Sequence, residues 1–174
     1  MRHRILKGLP AASFGWESKL GHCYEPKFIT EAGGALTLEK NGASENSASE
    51  NSQHCDVLKL LVKTPELQGG ELAVKLLEML EGEFEVSSSG APFAEITANG
   101  VNKGSALAKI ASDMGIGPDR TIAFGDNQND CLCCAGDSVA MGDAIDEVKT
   151  LATIHTLSNS EGGVAAMLES KFNV

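Results

Sequence analysis

Apolar positions along the chain switch between helical and strand spacing, and the switches divide it into short alternating elements. Thr121 to Phe124 is apolar and partly β-branched, bounded by Pro118-Asp119 and Gly125-Asp126, the pattern of a buried parallel strand. Ahead of it, Val101-Asn-Lys-Gly-Ser105 leads into a helical pattern with Leu107, Ile110, Ala111 and Met114 on one face, closed by Gly115 and Gly117. Behind it follow Ser138 to Met141, a helix over Asp143 to Leu151, a short strand Thr153 to Thr156 and a last helix from Gly163 to Lys171. That alternation predicts a parallel sheet covered by helices with right-handed crossovers.

The upstream half has a different order. Val57 to Val62 is a strand candidate with a nearly continuous apolar run, and Thr64-Pro65 opens the next connection. Glu71 to Leu80 forms an amphipathic helix through Leu72, Leu76, Met79 and Leu80, whose apolar face is core rather than a cofactor box. Phe84 to Val86 and Phe93 to Ile96 make two strands around Ser87-Ser-Ser-Gly90. Phe14 to Glu17 and Tyr24 to Phe28 are strand candidates whose partners are missing. Glu39 to Gln53 nearly repeats Ser-Glu-Asn-Ser with no apolar periodicity, as a flexible loop or linker does.

Chemistry concentrates where the strand Thr121 to Phe124 stops. Ligands of open α/β sheets collect beyond the carboxyl ends of the strands, so Asp126, Asn129 and Asp130 fall where a site belongs. Crowded carboxylates repel one another unless they share a cation, and hard oxygen ligands favour Mg²⁺. The alternative is a turn with a helix N-cap, since Gly-Asp and Asn-Asp serve both purposes. From this hexapeptide alone the two stand level.

The order of motifs separates them. Phe93-Ala-Glu-Ile96, Gly100-Val-Asn-Lys-Gly104, Ile122-Ala-Phe-Gly-Asp-Asn-Gln-Asn-Asp130, Val139-Ala-Met-Gly-Asp-Ala144 and Glu161-Gly-Gly-Val164 follow one another as in a Cof-type phosphatase of the haloacid dehalogenase-like superfamily. From Cys55 onward the chain resembles the second half of such a protein. The resemblance implies a Rossmann-like parallel sheet with helices on both faces, present in part, together with part of an α/β cap. It places the partial cap in residues 1–97 and the later part of the core in residues 98–174. It also implies a Mg²⁺-dependent hydrolase of small phosphomonoesters, often sugar phosphates.

Position by position, Lys103 resembles the lysine that neutralises the nucleophile and the transferring phosphoryl group, a task suited to a point charge on a flexible stem. Asp126 resembles the Mg²⁺-binding carboxylate, and Asp130 its carboxylate partner. Asn129 resembles the polar residue that orients the substrate phosphate or the metal-bound waters. Asn127 and Gln128 are loop polarity.

The departures are equally specific. Relatives of this type open on an Asp-x-Asp-Gly-Thr motif whose first aspartate attacks phosphorus and whose second is the general acid and base, and no Asp-x-Asp occurs in these residues. An early Ser or Thr that holds the phosphate cannot be located either. Cys131-Leu-Cys-Cys134 replaces a helical stretch with a Met-Leu pair, which shortens or distorts that helix. Asp143 stands where Asn is commoner and adds negative charge beside an acidic loop. Two functions follow: a phosphatase whose present residues carry only the lysine and metal half of the site and are inactive alone, or a noncatalytic α/β protein that binds a metal or phosphate.

Composition narrows the setting. With 24 acidic against 14 Lys and Arg residues, the net charge of −10 argues against nonspecific nucleic-acid binding. It also makes a phosphate ligand depend on Mg²⁺ and Lys103. No apolar run is long enough for a membrane span, and Lys7 and Pro10 interrupt the start too early for a signal peptide. Five cysteines, an odd number with two adjacent, suit reduced cytoplasmic thiols. Cys131 and Cys134 have Cys-x-x-Cys spacing, but no second pair completes a zinc site. His155, in an apolar strand candidate, is expected to be a satisfied core histidine. The partner expected is a small phosphorylated metabolite.

Overall fold

The computed structural model describes residues 1–30, 56–130 and 132–173. They divide into two compact units, Met1–Gly100 and Val101–Val174. The serine- and asparagine-rich stretch, together with Cys55 and Cys131, lies outside the described residues.

The first unit holds α1 (Arg2–Gly8), β1 (Ser13–Ser18), β2 (Gly21–Tyr24), α2 (Pro26–Thr30), β3 (Val57–Lys63), α3 (Gly69–Leu80), β4 (Phe84–Ser87) and β5 (Ala94–Ala98). Its strands form one antiparallel sheet in the order β2-β1-β3-β5-β4. Alternation places Leu60 and Val62 of β3 on the same face as Phe14, Ala94 and Ile96. There they meet Ile5 of α1 and Leu72, Leu76 and Leu80 of α3. Each fully buried leucine contributes about 1.5–3 kcal/mol.

Helix α3 approaches the sheet closely because it starts on Gly69, where a Cβ would run into the carbonyl oxygens of Ala91 and Phe93. A reciprocal box between Gln68 and Glu71 satisfies its first turn. The opposite face of the sheet carries buried Leu61 beside an ionic cluster, with Glu95 accepting from Lys59 Nζ at 2.7 Å and Ser89 Oγ at 2.7 Å. At the end of β3 the Lys63 ammonium is buried with no hydrogen-bond partner among the described residues.

Two expectations are corrected here. The strand at Phe14 to Glu17 has its partners, because β1 lies between β2 and β3. Tyr24 to Phe28 is not a strand: β2 ends at Tyr24, and Pro26, whose fixed φ suits a first helical turn, begins α2. That turn drives Phe28 between Tyr24 and Phe93, with ring centroids 5.6 and 5.7 Å apart.

The second unit holds α4 (Lys103–Asp113), β6 (Ile122–Gly125), β7 (Asp137–Ala140), α5 (Asp146–Leu151), β8 (Ile154–His155) and α6 (Gly163–Phe172). The three strands are parallel in the order β6-β7-β8, and the register sets Gly125 beside Ala140 and Ala140 beside His155. All three carboxyl ends therefore open on one side. A core of Leu132, Ala140, Met141, Ala144 and Val148 packs beneath them.

Two expectations for this unit change, on the burial of β6 and of His155, and one apolar stripe stands partly in solvent. Strand β6 is half-buried rather than buried, because it pairs with β7 alone among the described strands. On α4 only Gly104 and Ala111 are buried, while Ile110 is 58% and Met114 67% exposed, so the apolar stripe is not core throughout. His155 is exposed on the last strand of the sheet, its ring Nε2 3.0 Å from the Lys149 carbonyl oxygen.

Two substitutions in the first unit test this account. Leu76→Ala leaves a void in a side chain that is 0% exposed and is expected to lower unfolding free energy by about 2–5 kcal/mol. Lys63→Met removes a buried amine with no partner among the described residues and is expected to raise it by about 1–3 kcal/mol, both read by denaturant unfolding.

Candidate active site

The site is assembled by the three loops that leave the carboxyl ends of β6, β7 and β8. After β6 the chain turns at Asp126 and Asn127 and enters a 3-10 turn at Gln128–Asp130. Asp130 folds back to close that turn, its Oδ2 accepting the backbone N–H of Asp126 at 2.8 Å and of Asn127 at 3.1 Å. Gly125 makes room: a Cβ there would stand 2.5 Å from the Asp130 Cβ and 2.8 Å from its Oδ2.

Lys103 reaches the same carboxylate from α4. Asn102 caps the helix, its Oδ1 accepting Ser105 N–H at 2.8 Å while Ser105 Oγ accepts Asn102 N–H at 3.1 Å. Lys103 is thereby the first helical residue, where a cation opposes the helix dipole. Asp130 Oδ1 offsets this, accepting from Lys103 Nζ at 2.6 Å. The carboxylate is 13% exposed and the lysine side chain 59%. Burial alone would push the Asp130 carboxyl up, but the Lys103 ammonium and the two backbone N–H groups outweigh it and hold the carboxyl below its usual range.

Asp126 is held differently. Its carbonyl oxygen accepts Ile145 N–H at 3.0 Å, which ties the loop to the start of α5. Among the described residues its carboxylate oxygens meet only neutral amides: Oδ1 accepts from Asn127 Nδ2 at 3.0 Å and Oδ2 from Asn159 Nδ2 at 3.0 Å. Asn159 also donates to Asp143, through its backbone N–H at 3.0 Å and through Nδ2 at 3.2 and 3.3 Å. These bonds, the backbone one foremost, hold the Asp143 carboxyl below its usual range. Asn129 sits half-buried in the 3-10 turn and makes no side-chain hydrogen bond among the described residues.

The structure thus joins Lys103 to Asp130, and Asp130 to the backbone of Asp126. It adds Asp143 and Asn159, which the sequence did not single out as site residues. Asn159 was detectable from the sheet alone, since the loop after the third parallel strand opens on the same side as the first two. The cysteine-rich stretch forms a further 3-10 turn, Leu132–Cys134, anchored by buried Leu132.

No group of three or more His, Cys, Asp or Glu side chains that could hold a metal occurs among the described residues. The donors nevertheless fit Mg²⁺, which takes one or two protein carboxylates and fills its shell with water and phosphate oxygens. Asp126 offers oxygens held only by exchangeable amides, whereas both Asp130 oxygens are engaged by charge-assisted bonds.

A model of haloacid dehalogenase-like hydrolases matches residues 24–168. The 5-amino-6-(5-phospho-D-ribitylamino)uracil phosphatase YitU of Bacillus subtilis (strain 168) is 45% identical over 82 residues, covering 46% of this chain and 30% of that protein. The phosphatase YcsE of the same organism, named for the same substrate, is 36% identical over 104 residues, covering 58% and 42%. A crystal structure of a haloacid dehalogenase-like hydrolase from Bacteroides thetaiotaomicron superposes with a TM-score of 0.69 at 26% identity. It covers 98% of this chain and 65% of its own. The matched part thus spans 30% and 42% of the lengths of the two Bacillus relatives.

Two measurements test the geometry. The folded-state Asp130 carboxyl lies below its unfolded value, so its contribution to stability is complete above about pH 4 and is lost as pH falls through the lower folded value. Asp130→Asn is expected to flatten the acid limb of a stability-against-pH curve and to lower stability at pH 7. Gly125→Ala is expected to displace Asp130 and to lower the melting temperature at pH 7.

Proposed function

The chain belongs to the haloacid dehalogenase-like hydrolase family, and from that premise we propose that it carries the lysine and metal half of a Mg²⁺-dependent phosphatase site. In this reading residues 98–174 belong to the later part of the hydrolase core and residues 1–97 to a partial cap. The observation that carries the proposal is the joining of Lys103, Asp130 and Asp126 at the carboxyl end of β6.

In this proposal Asp126 holds Mg²⁺ with Asp130 as its carboxylate partner. The ion supplies positive charge against the oxygens of a bound phosphate. Lys103, at the start of α4, adds a charge-assisted donor, and the free N–H groups of the helix N-terminus favour an anion at the same place. Asn129, whose amide is not engaged by other described residues, orients the phosphate. Attack on phosphorus belongs to an aspartate of an Asp-x-Asp motif, which these residues do not contain. A second aspartate protonates the departing ester oxygen, and water then hydrolyses the phosphoaspartate.

The substrate class proposed is a small phosphomonoester on a sugar or polyol. Support comes from the two Bacillus relatives, whose named substrate carries its phosphate on a ribityl chain. The setting proposed is cytoplasmic, where a thiol such as Cys23 stays reduced. No helix among the described residues is long and apolar enough to cross a membrane.

The 174-residue chain is expected to hydrolyse p-nitrophenyl phosphate no faster than buffer. Joined to a segment that bears Asp-x-Asp-Gly-Thr, it should gain Mg²⁺-dependent turnover that EDTA removes. Asp126→Ala in that longer protein should abolish turnover. Retained activity in the variant would sink the assignment, and absent activity in the longer protein that still binds Mg²⁺ would favour a binding protein.

A further inference from the structure

Asp126 and Asp143 leave different strands, yet both converge on one side-chain nitrogen. Asn159 Nδ2 lies 3.0 Å from Asp126 Oδ2 and 3.2 Å from Asp143 Oδ1. Two like charges that share a neighbour so closely repel unless something between them donates. The Asn159 amide has two N–H groups, enough to give one to each carboxylate. Asp143 Oδ1 also accepts the Asn159 backbone N–H at 3.0 Å, which fixes the asparagine at both ends of its side chain. A reciprocal box between Ser158 and Glu161 holds the turn that carries Asn159.

We infer that Asn159 is a positioning residue that aims the Asp126 carboxylate, and that Asp143 acts through Asn159 by fixing its amide. The inference rests on the proposed function for one point only, that Asp126 is the cation ligand. Asp126 Oδ2 is the oxygen the amide holds, so the loop after β8 sets where that oxygen points before a cation arrives. Asp143, by contrast, contributes an acceptor and not a ligand. Groups that orient metal ligands in this way commonly matter 10- to 100-fold in metal affinity.

The test uses the full 174-residue chain, with Mg²⁺ affinity from calorimetry and protection of the Asn159 side-chain amide protons from NMR hydrogen exchange. Asn159→Ala and Asp143→Ala should each weaken Mg²⁺ roughly 10-fold, and the double variant should be no weaker than Asn159→Ala alone. Asp143→Asn, which keeps an acceptor, should restore most of the affinity lost in Asp143→Ala. Amide protection should be present in the unaltered protein and fall in Asp126→Ala. Additive losses, or equal losses in Asp143→Asn and Asp143→Ala, would show that Asp143 acts by its own charge and would overturn the inference. An unprotected amide in the unaltered protein would overturn it too. If the amide is protected through Asp126 but no Mg²⁺ binds, the positioning stands and the cation role of Asp126 in the proposed function fails.

Discussion

The second unit depends on one half-buried carboxylate with two separate duties. Asp130 gives one oxygen to the backbone N–H groups of the turn that follows β6 and the other to the ammonium that begins α4. A half-buried anion is costly in isolation, and it is stabilised here by two backbone donors held in the turn and by one ammonium. The turn could not close over a larger residue at Gly125, and the ammonium could not be reached without the Asn102 cap. Sheet, turn and helix therefore meet at this one side chain, beside the apolar core that Leu132, Ala140 and Met141 form with Ala123 and Phe124.

The first unit is built on the opposite principle. One face of its sheet is sealed by aliphatic packing against α1 and α3, and the other is laced by ion pairs such as Lys59 with Glu95. That division could be read from the chain wherever periodicity was strong. Leu72, Leu76 and Leu80 at helical spacing appear as α3, and the runs at Val57 and Phe84 appear as strands. It failed where a single residue overrode the local pattern. Pro26 turned an aromatic, strand-like segment into a helix, and Phe28 became a ring in a stack.

In the second unit the parallel strands were legible from short apolar runs that end on glycine or small residues. The burial of α4 was not, because periodicity reports which positions share a face and says nothing of what lies opposite. Ile110 and Met114 share the stripe with Ala111 and stand in solvent. Among site residues, Asp126, Asp130 and Lys103 were marked by motif. Asn159 carried no charge or motif of its own, and its bonds to Asp126 and Asp143 form because the register brings the ends of β6, β7 and β8 to one side.

The ion pair at Asp130 is unequal in a way that has a temporal consequence. The aspartate is held by two backbone donors and is nearly covered, whereas the lysine is a long, mostly exposed chain. When the pair separates, the lysine is the partner that moves. Exposed side chains change rotamer in picoseconds to nanoseconds. Charge compensation at the end of β6 accordingly hangs on the torsions of a single, mostly exposed lysine.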